Sequence, residues 1–186
     1  MTDPLRSTRQ AEEEFDSLDS EEDLTEYLEE LAPRIGWIII YFNSLEDGVA
    51  RCVREAILRD PVQDERVDVF LAEMLFSGKC RALVHLYGQL IESGIVKYTQ
   101  DDLTKLEETL VECARRRNEY AHADWIGLMK GNYVRVKTQS KKRGILHRYR
   151  KFDLVQVESD IAFIDQARYA LDDFNETISD QLWGRA

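Results

Sequence analysis

Residues 103–122, LTKLEETLVECARRRNEYAH, place Leu103, Leu106, Leu110, Cys113, Arg117 and Tyr120 in steps of three and four. That spacing predicts a helix with one inward stripe, because side chains three and four apart share a helical face. The stripe contains an arginine, a residue rarely buried without a partner or a task. Arg115 and Arg116 fall off the stripe and are expected to be solvated. Asn118 and His122 are four apart and stack on one side of the last turn. A guanidinium, an amide and an imidazole thus gather at one helix end, a combination suited to handling phosphate.

Other segments repeat the helical spacing. Ser20 offers a cap and Glu21, Glu22 and Asp23 an acidic first turn, so a helix is expected to begin there; Pro33 and Gly36 are expected to interrupt it. A second helix is predicted over 37–59, carrying Ile38, Tyr41, Phe42, Leu45, Val49, Cys52, Val53 and Ala56, and Asp60-Pro61 ends it. A third is predicted over 65–92, with Val67, Phe70, Leu71, Met74, Leu75, Leu83, Leu86 and Leu90 on its inward stripe, Ser77-Gly78 marking a bend or a close helix contact and Ser93-Gly94 closing it. Thr99 and Asp102 form a capping-box-like opening for the motif helix. A last helix is predicted over 157–182, with Ile161, Ile164, Leu171, Phe174, Ile178 and Leu182.

After His122 the helical pattern fails through Trp125, Gly127 and Gly131. Residues 133–137 and 145–149 then read as two short strands joined by a basic turn containing Gly144. The expectation is an all-α antiparallel helical bundle with a small inserted basic β-hairpin at about 132–151. Residues 1–20 are expected to form a disordered acidic arm, and 21–186 a single domain.

The net charge of −11 is unevenly spread. Residues 1–30 hold twelve acids against Arg6 and Arg9, whereas the rest of the chain holds 24 acids and 23 bases. Within it, 130–151 carries nine bases and no acid. A polyanion meets that local field, not the overall acidity. Lys137, Lys141, Lys142, Arg143, Arg148 and Arg150, with Arg116, are candidate RNA-binding residues; Tyr133, His147 and Tyr149 could stack on bases. An ordinary solvated hairpin fits the same residues, as does docking of the acidic arm.

The R-N-x-x-x-H arrangement of Arg117, Asn118 and His122 resembles the signature of the HEPN superfamily, over about residues 22–182. The resemblance implies a HEPN-like helical fold and a metal-independent endoribonuclease without a cofactor. Arg117 would clamp phosphate, His122 transfer protons and Asn118 position them, two copies of the motif meeting in a homodimer. It further implies service as a toxin or phage-defence effector, with an antitoxin or regulatory partner. A non-catalytic HEPN-like module binding RNA or protein is the alternative. HEPN toxins silenced by adenylylation carry a tyrosine two residues after the histidine; Asp124 stands there, so that control is not implied. A structural role also fits: Arg117 paired with Glu46, Asp47 or Asp165, and His122 as a helix C-cap.

The histidines at 85, 122 and 147 lack metal-ligand spacing. Cys52, Cys80 and Cys113 are expected to be free buried thiols in a reducing compartment. No apolar run has membrane-spanning length, and the acidic N-terminal stretch lacks an apolar signal segment. A cytoplasmic location is expected.

Overall fold

A computed structural model describes residues 6–7, 21–129, 133–141 and 144–184. It is mostly helical, with a small antiparallel sheet. In chain order the elements are β1 (Arg6–Ser7), α1 (Glu21–Ile57), α2 (Asp68–Ala72), α3 (Phe76–Glu92) and α4 (Gln100–Ala121). Then follow β2 (Asp124–Met129), β3 (Tyr133–Lys141), β4 (Gly144–Lys151) and α5 (Leu154–Trp183). Among the described residues no helix is long and apolar enough to cross a membrane. The arm expected to be disordered lies outside the described residues apart from Arg6–Ser7.

Helix boundaries follow local chemistry. The Thr99 amide donates to Asp102 Oδ2 at 3.1 Å and the Asp102 amide to Thr99 Oγ1 at 3.3 Å, a reciprocal capping box opening α4. Hydrogen bonds from Thr99 hold the Asp102 carboxyl below its usual range. A lowered folded-state pKa stabilises above the unfolded value, so the cap weakens as pH falls through the carboxylate range. At the end of α3, Gly94 adopts φ 71°, its amide reaching Ile91 O at 3.0 Å and the Ile95 amide reaching Leu90 O at 3.1 Å. This pair of bonds is a Schellman motif, whose left-handed residue favours glycine. Asp153 opens α5 by accepting from the Gln156 amide at 2.7 Å.

Three expectations about the elements are corrected. Pro33 and Gly36 do not interrupt the first helix, since α1 runs unbroken through both. Proline removes one donor in that turn, but Arg34 Nη1 donates to Glu30 O at 2.6 Å and its Nε to Glu158 Oε1 at 2.7 Å, tethering the turn. The third helix is two helices. Leu75 is extended (φ −67°, ψ 156°) and separates α2 from α3, which resets the phase. Phe70 and Leu75, expected inward, are accordingly 72% and 80% exposed. Finally, residues 124–129 form a strand, making the hairpin part of a larger sheet ordered β1-β4-β3-β2. Within it Val134 faces Arg150, and Lys137 faces Arg148 after an irregularity at Val136.

The chain divides into two compact units, 1–39 with 116–162 and 40–115 with 163–186. The first unit holds the sheet and buries Leu31, Ile38, Tyr120, Val134, Tyr149, Phe152 and Val157. The second is helical and buries Phe42, Leu45, Val49, Leu83, Tyr87, Leu110, Ile164, Leu171 and Ile178.

All three cysteines are buried, and none forms a disulfide among the described residues. Burial pushes the Cys52 and Cys80 thiols up to about 12, leaving almost no reactive thiolate near neutrality. Ellman's reagent is expected to label the native chain slowly and all three thiols only after denaturation. Rapid labelling of a native thiol would contradict this burial.

Candidate functional site

The stripe read from the sequence is present along α4. Leu103, Leu106, Leu110, Cys113 and Tyr120 are buried, and Arg117 is half-buried. Arg117 Nε lies buried, and Nη1 donates to Asn118 Oδ1 at 3.0 Å. The His122 amide donates to Asn118 O at 3.1 Å, which closes the helix. Asn118 and His122 are exposed. The last turn of α4 therefore brings Arg117 and Asn118 into direct contact and leaves Asn118 and His122 open to solvent one turn apart.

The other side of the same turn is anchored. Asp160, on α5, is 1% exposed. It accepts from Arg116 Nη1 at 2.8 Å, Tyr120 Oη at 2.7 Å and Gln156 Nε2 at 2.9 Å. Arg150 donates to Glu119, lies 4.0 Å from Asp160 by its Nη2, and covers the Phe152 ring at 5.0 Å. Trp125 Nε1 donates to Tyr120 O at 2.9 Å, and the Tyr120, Trp125 and Phe152 rings pack together. Burial, then the bond to Asp160, pushes the Tyr120 hydroxyl pKa upward, which keeps it a proton donor in that bond.

The expectation that Arg116 is solvated is overturned. Its side chain is 20% exposed and faces a buried carboxylate. Leaving Asp160 unpaired in that environment would cost more than the solvation Arg116 gives up. Arg150, read as an RNA contact, is 13% exposed and holds Glu119 within the motif itself. Both guanidinium groups position the helix end. Of the acids considered as partners for Arg117, Glu46 accepts from Lys79 and Asp165 from Arg168, each at 2.7 Å.

The remaining basic candidates lie on the hairpin. Lys137 is exposed and faces the half-buried Arg148 across the strands. Lys141 pairs with Gly144 at the hairpin end, and Lys142 and Arg143 lie outside the described residues. Tyr149 is 7% exposed and belongs to the core, so it does not present a stacking face. His147 Nδ1 lies 2.9 Å from Thr138 Oγ1. Asp124 forms a cross-strand ion pair with Arg135. Arg6 and Ser7 pair with Tyr149 and Arg148 along β4.

Asp160 is the residue the sequence reading passed over. Val157, Asp160, Ile164, Ala167, Leu171, Phe174 and Ile178 recur in steps of three and four, and all are buried. An aspartate inside that stripe carries the same signal as Arg117 does in α4.

Among the described residues no group of three His, Cys, Asp or Glu side chains is placed to hold a metal ion. Comparison with protein-family models, curated proteins and solved structures gives no match.

Proposed function

We propose that the chain is a metal-independent endoribonuclease of HEPN type, acting as a homodimer in the cytoplasm under the control of a partner protein. The observation that supports this reading is the last turn of α4. It presents Arg117 bonded to Asn118, with Asn118 and His122 exposed one turn apart.

The chemistry follows from those groups. An imidazole titrates near neutrality and can take the proton from a ribose 2′-hydroxyl. The freed oxygen attacks the adjacent phosphorus, the bond to the 5′-oxygen breaks, and a 2′,3′-cyclic phosphate forms. The departing oxygen needs a proton, which the imidazole of a second copy would supply. Arg117 would stabilise charge on the phosphate, since a planar guanidinium donates two parallel hydrogen bonds and stays charged. Asn118, accepting from Arg117 through Oδ1, retains its amide group to orient phosphate or imidazole. Lys137 and Arg148 would attract the RNA backbone, as would Lys141, Lys142 and Arg143, which lie between them in sequence.

The test is incubation of purified chain with total cellular RNA in excess EDTA. Fragmentation in proportion to enzyme is expected. Retained RNA binding without cleavage would instead assign a non-catalytic binding module.

A further inference from the structure

Within the first unit, the motif turn has an aromatic neighbour that the cleavage chemistry does not use. Trp125 lies at the start of strand β2, three residues beyond His122. Chain length alone keeps their Cα atoms within about 11 Å of each other. The indole is also tied to the motif itself, since its Nε1 donates to Tyr120 O at 2.9 Å.

Three rings pack together here, and one of them has surface to offer. Tyr120 is 1% exposed and Phe152 0%, whereas Trp125 is half-buried. Tyr120 stacks against Trp125 with centroids 6.1 Å apart and planes 15° apart, and Phe152 lies tilted against it at 4.9 Å. Trp125 is thus the outer ring of a cluster whose inner members are sealed. Beside it, Asp124 is held across the strands by its ion pair with Arg135. An indole fixed by a hydrogen bond, two ring contacts and a clamped neighbour loses little freedom when a ligand settles on it.

The chemistry of that surface selects the ligand. Tryptophan has one polar group, a donor, and here it is spent on Tyr120 O. What remains is a π system, which attracts flat aromatic groups by stacking and does not read hydrogen-bond patterns. In RNA, the flat group that accompanies a reacting phosphate is a nucleobase.

We propose that Trp125 stacks a nucleobase of the bound strand, beside the phosphate handled by Arg117 and His122. This rests on the reading of the motif turn as an RNA-cleaving site, and it narrows the substrate. The strand must be single, because a base inside a duplex is already stacked and paired. Discrimination among bases at that position should be weak. Tyr149, the ring expected from the sequence to stack, is buried, and Trp125 takes that part.

The test is equilibrium binding of the full chain, in EDTA, to two strands about eight nucleotides long. One is oligoadenylate with 2′-O-methyl riboses, which cannot undergo attack by a ribose hydroxyl; the other is the same backbone without bases. Loss of the bases is expected to weaken binding by the unaltered chain about tenfold or more. Trp125→Leu should bind the two strands within about twofold of each other, and Trp125→Phe, with its smaller ring, should fall between. Thermal midpoints check folding, and the phenylalanine variant keeps the test decisive where the cavity left by leucine unfolds the chain. Neither strand is cleaved, so the result is independent of catalysis. Base-dependent binding that Trp125→Leu abolishes would sustain the proposal even in a chain that cleaves no RNA. Equal base dependence in all three chains, or equal weakening of both strands by Trp125→Leu, would overturn it even where cleavage is observed. Failure of the unaltered chain to bind either strand would overturn it together with the RNA reading.

Discussion

Replacing His122 with alanine is expected to lower RNA cleavage in excess EDTA by about 10²–10⁴-fold, the usual contribution of a positioned acid or base. The fold should be unaffected. His122 is exposed, and its link to the helix is a backbone amide bond to Asn118 O that alanine retains. The thermal midpoint should therefore match that of the unaltered chain while activity collapses. Arg117→Lys complements this variant. It keeps the positive charge but loses the planar fork, and a loss of about 10²-fold is expected if bidentate phosphate contact matters. Undiminished cleavage by His122→Ala would remove the imidazole from the reaction. A large fall in midpoint would assign His122 a structural role instead.

Asp160→Ala is expected to destabilise the chain by about 3–5 kcal/mol, the cost of leaving a largely buried partner uncompensated. Three donors converge on this carboxylate, from Arg116, Tyr120 and Gln156. Tyr120→Phe removes only one of them and should cost about 1–2 kcal/mol. Arg116→Ala combined with Asp160→Ala should cost less than the sum of the two single changes, because the second loss removes the charge stranded by the first. Urea unfolding of the four variants measures these differences. A cost for Asp160→Ala below about 1 kcal/mol would show that the packed rings, not the buried ion pair, hold the motif turn.

The parts of this fold that were legible in the sequence are those set by neighbours along the chain. The α4 stripe, the Thr99–Asp102 capping box, the glycine closure at Gly94 and the β3–β4 hairpin all depend on residues within a few positions of each other. What escaped the reading depends on distant partners. Pro33 ordinarily marks a break, and the Arg34–Glu158 bond that tethers its turn joins residues far apart in sequence. The break at Leu75 lacks a capping side chain to announce it. Strand β2 gains its identity from pairing with β3, since residues 124–129 alternate poorly on their own. At the candidate site, Arg117, Asn118 and His122 could be named from spacing alone. The roles of Arg116 and Arg150 could not, because basic residues in a basic run look alike until their carboxylates are placed. Asp160 was visible in principle, as a charged residue on an otherwise apolar stripe of α5.

The most direct test of the central claim is the chemistry of the ends left on an RNA cleaved by the purified chain in EDTA. Attack by a ribose 2′-hydroxyl under Arg117 and His122 predicts a 2′,3′-cyclic phosphate on one fragment and a 5′-hydroxyl on the other. It also predicts no cleavage where the scissile ribose lacks its 2′-hydroxyl. Fragments bearing 3′-hydroxyl and 5′-phosphate ends would show that water, not the ribose, is the nucleophile, and would contradict the account.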